Sequence, residues 1–255
     1  MPLRHASRRS ALLLLGSVCA LSRGAWAEPP PQLLTGDLPP FAIAGEGAQR
    51  GVLIELAEAV LERAGWPVRA QFLPWARAVQ QAQLQQRHMV LPLTRTPARE
   101  AQFQWLVRLS LQHFTFLSLP PVARVVSLDQ ARLLKVGVLR GSPHHTRLLE
   151  LGFDAQRLVQ ASSNDDLQRM LRLGMVEAIY GSEMINLYNA RLHGQDLARL
   201  QVGMTVESGE IWLAGNGFGE AEVSRMRQAA AELEAERLGA NLFQRYGLEP
   251  PRPRP

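Results

Sequence analysis

The sequence predicts an α/β fold of two lobes, and three observations carry that expectation. Strand-length apolar segments alternate with helix-length amphipathic ones along most of the chain, as in parallel sheets flanked by helices. The alternation falls into two blocks that meet at 118–125, "SLPPVARV", where two prolines suit a crossover. With an export leader set aside, residues 28–255 remain, enough for one large domain or two small lobes.

The leader is read from "MPLRHASRR", "SALLLLGSVCAL" and "AWA": a basic start, a short apolar run and a small-x-small motif ending at Ala27. That run is shorter than the roughly 20 residues a membrane span needs. Cleavage after Ala27 and a periplasmic location are expected. Cys19 follows Val18, larger than the small residue a lipid-attachment site wants, so a soluble protein is expected. Removing 1–27 takes away Arg4, Arg8, Arg9 and Arg23 and no acid, so the formal charge of +5 drops by four to +1. Nucleic-acid and membrane binding lose their main support. The single cysteine leaves with the leader, which excludes disulfides and thiol chemistry and fits a periplasmic protein with a sizeable core.

The elements follow in order. Residues 51–65, "GVLIELAEAVLERAG", place Leu53, Leu56, Ala57, Val60, Leu61 and Ala64 on one helical face, and Gly65 ends the helix. Residues 68–73 alternate as a strand, 75–86 form a helix, and 89–94, "MVLPLT", form a short buried strand. A strand at 113–119 comes next, and Ser127 with Gln130 makes a capping box for a short helix. Residues 135–141, "KVGVLRG", are a strand; Ser142-Pro143 supplies an N-cap and an N1 proline for a helix over 144–152. A capped helix at 162–174, a strand at 176–181, a helix at 182–194 and a strand at 209–216 complete the alternation. Helices over 220–247 close the fold, and the tail 249–255 is expected to be disordered. Trp105, Trp212, Phe243 and Tyr246 are assigned to core. Ligands in open α/β sheets sit at the carboxyl ends of strands, here between the lobes.

Five pieces in order carry a resemblance: "TGDLPPF", "GVLIELAEAVLERAGWPV", "FLPWARAVQ", "TRTPAREAQFQW" and "KVGVLRGSPHH", continued by "LRLGMVEAIYGSE". Together they resemble the bacterial extracellular solute-binding proteins of family 3, over nearly the whole mature chain. The resemblance implies a type II periplasmic binding protein-like fold, two α/β lobes joined by two hinge strands. Lobe 1 would comprise 28–120 and the return segment 204–248, and lobe 2 would comprise 121–203. It also implies a monomer that binds a small polar or carboxylate-bearing, amino-acid-like solute by hinge closure and hands it to the membrane permease of an ABC importer.

Arg95 and Arg99 flank a turn on Thr96-Pro97, and the residues alone leave both as solvated charges, Arg99 pairing with Glu100. The resemblance selects Arg99 as the carboxylate anchor, a role that the planar guanidinium fork suits. Thr94 would add a hydroxyl, and Ser142 would bind from the other lobe, though an ordinary N-cap accounts for Ser142 nearly as well. The family places Trp75 and Phe41 as apolar walls, with Asp37 as a polar acceptor; plain core packing is an equal account of Trp75. Where amino-acid binders carry an aspartate for the α-ammonium, this chain has Ser182 followed by Glu183. Either Glu183 substitutes or no ammonium is bound. His144 and His145 are expected to be solvated, since neighbours on a helix do not face one way. No Ser-His-Asp order, zinc spacing or phosphate loop is present, so no catalytic residue, metal or cofactor is assigned and the chain is not read as an enzyme. The alternatives are a dehydratase-like enzyme on the same scaffold, with Glu183 as its acid, or a sensing module for a membrane receptor.

Overall fold

The computed structural model describes residues 29–253, so the leader, Cys19 and the Ala27 cleavage site lie outside the described residues. In order, the elements are β1 (Gln32–Thr35), α1 (Val52–Arg63), β2 (Ala70–Phe72), α2 (Trp75–Leu84), β3 (His88–Thr94) and β4 (Gln104–Ser118). Then come α3 (Leu128–Arg132), β5 (Val136–Leu139), α4 (His144–Glu150), β6 (Leu158–Ala161), α5 (Asn164–Arg172), β7 (Ala178–Ser182) and α6 (Glu183–Leu192). β8 (Gln201–Asn216), α7 (Glu220–Ala235) and α8 (Leu238–Arg245) end the fold.

The strands form one eight-stranded ladder in the order β2-β1-β3-β8-β4-β7-β5-β6. Its two ends, β2-β1-β3 and β7-β5-β6, are parallel. The centre is the antiparallel pair β4 and β8, each long enough to belong to both halves. Near Gln104–Ser110 that pair continues the first half beside β3; near Phe114–Ser118 it continues the second beside β7. Four register shifts interrupt β4–β8, and bulges of this kind bend a strand and raise its twist. β4 and β8 are the two hinge strands of the expected fold.

Side-chain burial explains why these segments take these forms. α1 buries Val52, Leu53, Ile54, Ala57, Val60 and Leu61, so the buried stripe turns toward its N-terminus relative to the sequence reading, and Leu56 is left half-buried. Gly51 opens the helix at φ +108°, where a Cβ would stand 2.5 Å from the Phe41 carbonyl oxygen; only glycine fits. Glu58 is buried on the same helix and accepts from Arg50 Nη1 at 2.7 Å, Arg69 Nη1 at 2.5 Å and the Ala70 amide at 2.9 Å. Those bonds satisfy a carboxylate that would otherwise be costly to bury. The capping box at Ser127 is half formed: Ser127 Oγ accepts from Gln130 N at 3.2 Å, while Gln130 Oε1 accepts from Val126 N.

One apolar cluster runs from β1, β3, α1 and α8 into Leu139, Leu167 and Ile185 of the second half without a break. A smaller one, around Phe114, Phe116, Val138, Leu148 and Tyr180, fills the other side of the second half. Trp105, Phe243 and Tyr246 are buried in the larger cluster, and Trp212 is partly buried against it. Residues 249–253 carry no helix or strand, yet they lie against the hinge, where the Arg252 carbonyl meets His113 Nε2 at 3.0 Å. Among the described residues no helix is long and apolar enough to cross a membrane.

Candidate functional site

The carboxyl ends of β3, β5 and β7 meet in a cavity between the halves, with Thr94, Leu139 and Ser182 on its wall. Its volume is about 50 Å³, far below the roughly 300–1,000 Å³ usual for small-molecule pockets. The two halves are thus drawn together around it. Four helices begin at this wall: α2 at Trp75, the short α4 at His144, α5 at Asn164 and α6 just after Ser182.

Arg99 ends the short 3₁₀ turn Pro97–Arg99 that follows β3, and Pro97 at the start of that turn sets its direction. The guanidinium is half-buried; Nη1 donates to the Thr94 carbonyl at 3.3 Å, and Nη2 crosses to the Gly141 carbonyl of the second half at 2.8 Å. Among the described residues no carboxylate pairs with it. Burial alone lowers its pKa from 12.5 to about 10. Arg95, the neighbouring candidate, does the opposite. It is exposed, forks onto Glu100 at 2.5 and 2.9 Å, and its guanidinium stacks 5.0 Å from the Trp212 ring. The partner that the residues alone offered to Arg99 is taken by Arg95.

The cavity also gathers Thr94, Ser142 and Trp75. Thr94 Oγ1 accepts from Gln112 Nε2 at 2.8 Å, which ties the end of β3 to the hinge strand β4. Ser142 Oγ donates to the Leu139 carbonyl at 2.6 Å, and the helix that follows starts at His144 as expected, with its N-cap one residue later than expected, at Pro143. Trp75 lines the cavity and packs in the larger core at once; its Cβ would stand 3.0 Å from a Cβ at Gly36.

Three of the expected site residues lie elsewhere. Phe41 is fully buried in the core and does not line this cavity, because the chain around it turns in to cap α1. Asp37 is exposed, accepts from the Ala44 amide at 3.0 Å, and is spent on that turn; its pKa is raised, chiefly by desolvation and further by Asp165. Glu183 faces a separate cavity of about 430 Å³, shared with His113, Tyr188 and the tail residues Pro250–Pro253. Ser182 instead faces the inter-half cavity, and its Oγ accepts from the Ile185 amide as the cap of α6.

His144 differs from the expectation of a solvated ring. It is buried rather than solvated, 4.8 Å from the Phe114 ring and 5.2 Å from Tyr180 by ring centroids. Desolvation, with Arg99 adding to it, lowers its pKa to about 3, so it is neutral. His145 is half-buried. Burial raises the Tyr180 phenol well above its ordinary range, and the Glu207 carboxylate nearby adds to the rise.

Gln112, Asn164 and Asn186 also line the cavity and were not expected. For Asn164 a signal existed, since it follows the capping Ser163 at a strand-to-helix turn, where such sites gather. Gln112 lies mid-strand at the hinge, and nothing in a single sequence marks it. Among the described residues no cluster of His, Cys, Asp and Glu is placed to hold a metal ion.

The fold has relatives. The model of bacterial extracellular solute-binding proteins, family 3, matches residues 33–118, which carry the first half through β4 and include Arg99. This chain is similar to family 3 of the bacterial extracellular solute-binding proteins. No curated protein matches it. A substrate-binding protein of an ABC uptake transporter from Streptococcus pneumoniae, with bound histidine, shares the fold at TM-score 0.77 and 14% identity, over 88% of this chain and 95% of that one. The arginine-, lysine-, histidine-binding protein ArtJ from Geobacillus stearothermophilus gives TM-score 0.75 at 15% identity, over 86% and 96%. A histidine kinase sensor domain with similarity to periplasmic binding proteins gives 0.76 at 19%, over 86% and 98%. The fold is the type II periplasmic binding protein-like one.

Proposed function

We propose that this chain is a periplasmic solute-binding protein that closes by its hinge around a small polar or carboxylate-bearing solute. The observation that carries the reading is Arg99: a half-buried guanidinium with no carboxylate partner among the described residues, one Nη on each half of a cavity between them. A carboxylate meeting that fork would contact both halves and favour the closed state through contacts the open state lacks. Lobe 1 would be 28–120 with 204–248, lobe 2 would be 121–203, and the mature protein, cut after Ala27, would act as a monomer. Delivery to the permease of an ABC importer agrees with the family match. Sensing for a membrane receptor is the second reading, supported by the likeness to a histidine kinase sensor domain. Catalysis finds little support, because Glu183, the acid it would use, lines a different cavity.

Closure is tested at Gly141. Its φ is +80°, and a Cβ there would stand 2.8 Å from Ala76 Cα, across the gap between the halves. Gly141→Ala therefore strains its own turn by roughly 1–2 kcal/mol and wedges the halves apart. Ligand affinity is expected to fall at least tenfold, and small-angle scattering of the variant should show a larger radius than wild type. Unchanged affinity together with an unchanged radius would rule out closure at this contact.

A further inference from the structure

The charge and hydrogen-bonding character of the cavity narrow the ligand beyond what the family match implies. Among the described residues, Arg99 is the one lining side chain that carries charge; no Asp or Glu lines the cavity, and His144 is neutral. The N-termini of α2, α5 and α6, helices of 10, 9 and 10 residues, reach the same wall, and helix N-termini carry partial positive charge. A separate groove beside α2 is lined by Arg77 and Arg140 and by no acid. On the second-half wall, the side-chain nitrogens of Asn164 and Asn186, each residue 4% exposed, are buried without a hydrogen-bond partner, as are the Tyr180 hydroxyl and His144 Nδ1. Buried donors without acceptors are costly, and a ligand that brings acceptor oxygens to that wall relieves the cost.

A charge count follows from these groups. A monocarboxylate brings the cavity's single positive charge to zero. A zwitterionic amino acid leaves it at +1 and sets an ammonium against donors and helix N-termini, with no carboxylate to pair it. Burying an unpaired ammonium is strongly unfavourable. A dicarboxylate overshoots to −1.

Resting on the reading of this cavity as the solute site, we propose that its ligand is a small monocarboxylate with acceptor oxygens and no amine, a 2-hydroxy or 2-oxo acid rather than an amino acid. Calorimetry on the purified full chain with pairs that share a carbon skeleton tests this: lactate against alanine, and 2-hydroxyisocaproate against leucine, with malate as the dianion. The hydroxy acid of a pair is expected to bind at least tenfold tighter than its amino acid. Equal or tighter binding of the amino acid, or tightest binding of malate, overturns the ligand class and leaves the proposed function standing. No binding by any member, and none in a thermal-shift screen of amino acids, dicarboxylates and polyamines, overturns both. Asn164→Asp supplies the missing acid at the first turn of α5, where the helix dipole favours negative charge and the fold should tolerate it. It is expected to move the preference at least tenfold toward the amino acid. Asn186→Asp is the second variant, with thermal midpoints confirming that each is folded. Unmoved preferences in both folded variants would overturn the assignment of this wall.

Discussion

Arg99→Ala is expected to weaken ligand binding by roughly 2–5 kcal/mol, on the order of 30-fold to several-thousand-fold in Kd. The range follows from what the guanidinium offers. It lies at the meeting of the two halves, its Nη1 and Nη2 hold only backbone carbonyls, and its pKa is lowered by burial to about 10. A ligand carboxylate would replace those weak partners with charge-assisted bonds in a partly desolvated site. Arg99→Lys keeps the charge but loses the planar fork, so it should recover only part of the affinity. The unliganded protein is a useful contrast, because among the described residues no acid pairs with Arg99. Its thermal midpoint is expected to stay the same or rise in Arg99→Ala, as when a functional strain is removed. Calorimetry that returned wild-type affinity would remove Arg99 from the site.

Acid should destabilise this protein through one buried ring. His144 has an ordinary pKa near 6.5 when unfolded and about 3 in the fold, lowered by desolvation and then by Arg99. Above pH 6.5 both states hold it neutral and it has no effect on stability. Below 6.5 the unfolded chain takes up a proton that the folded chain refuses, so stability falls by about 1.4 kcal/mol per pH unit until the pH nears 3. Between pH 6.5 and 4.5 that amounts to about 2–3 kcal/mol, before the bulk of the carboxylates titrate. His144→Leu, which keeps an apolar filling between Phe114 and Tyr180, should flatten this part of the profile. Urea midpoints of both proteins at stepped pH measure the difference; parallel profiles would show that His144 titrates normally.

Several parts of the fold were legible because local chemistry fixes them. Helix α1 shows an apolar stripe of period 3.6 and a terminating glycine, and it forms where expected. Ser163 and Ser127 announce helix starts, and both accept from backbone amides there. Strands β1 and β6, four residues each, were missed, being too short for an alternation to stand out. Of β4 and β8, the sequence pattern marks only the second parts. Four bulges shift their register, so inward and outward side chains do not alternate steadily along the 15 and 16 residues.

The site divides in the same way. Arg99, Thr94, Ser142 and Trp75 sit at strand ends and helix starts, and all of them line one cavity. Phe41, Asp37 and Glu183 fit the same pattern, yet packing sends them to the core, to a surface turn and to a neighbouring cavity. The burial of His144 could not be read either, because it depends on Phe114 and Tyr180, which are distant in sequence.

By itself, the order of residues set the alternation of elements, the two-block plan and the arginine standing at a strand-to-helix turn, since periodicity, capping and turn chemistry act over a few neighbours. Which arginine keeps its charge unpaired, which polar groups end up sealed beside it, and how closely the halves approach at Gly141 were decided only when distant segments packed together. Those outcomes depend on desolvation and on contacts between residues tens of positions apart.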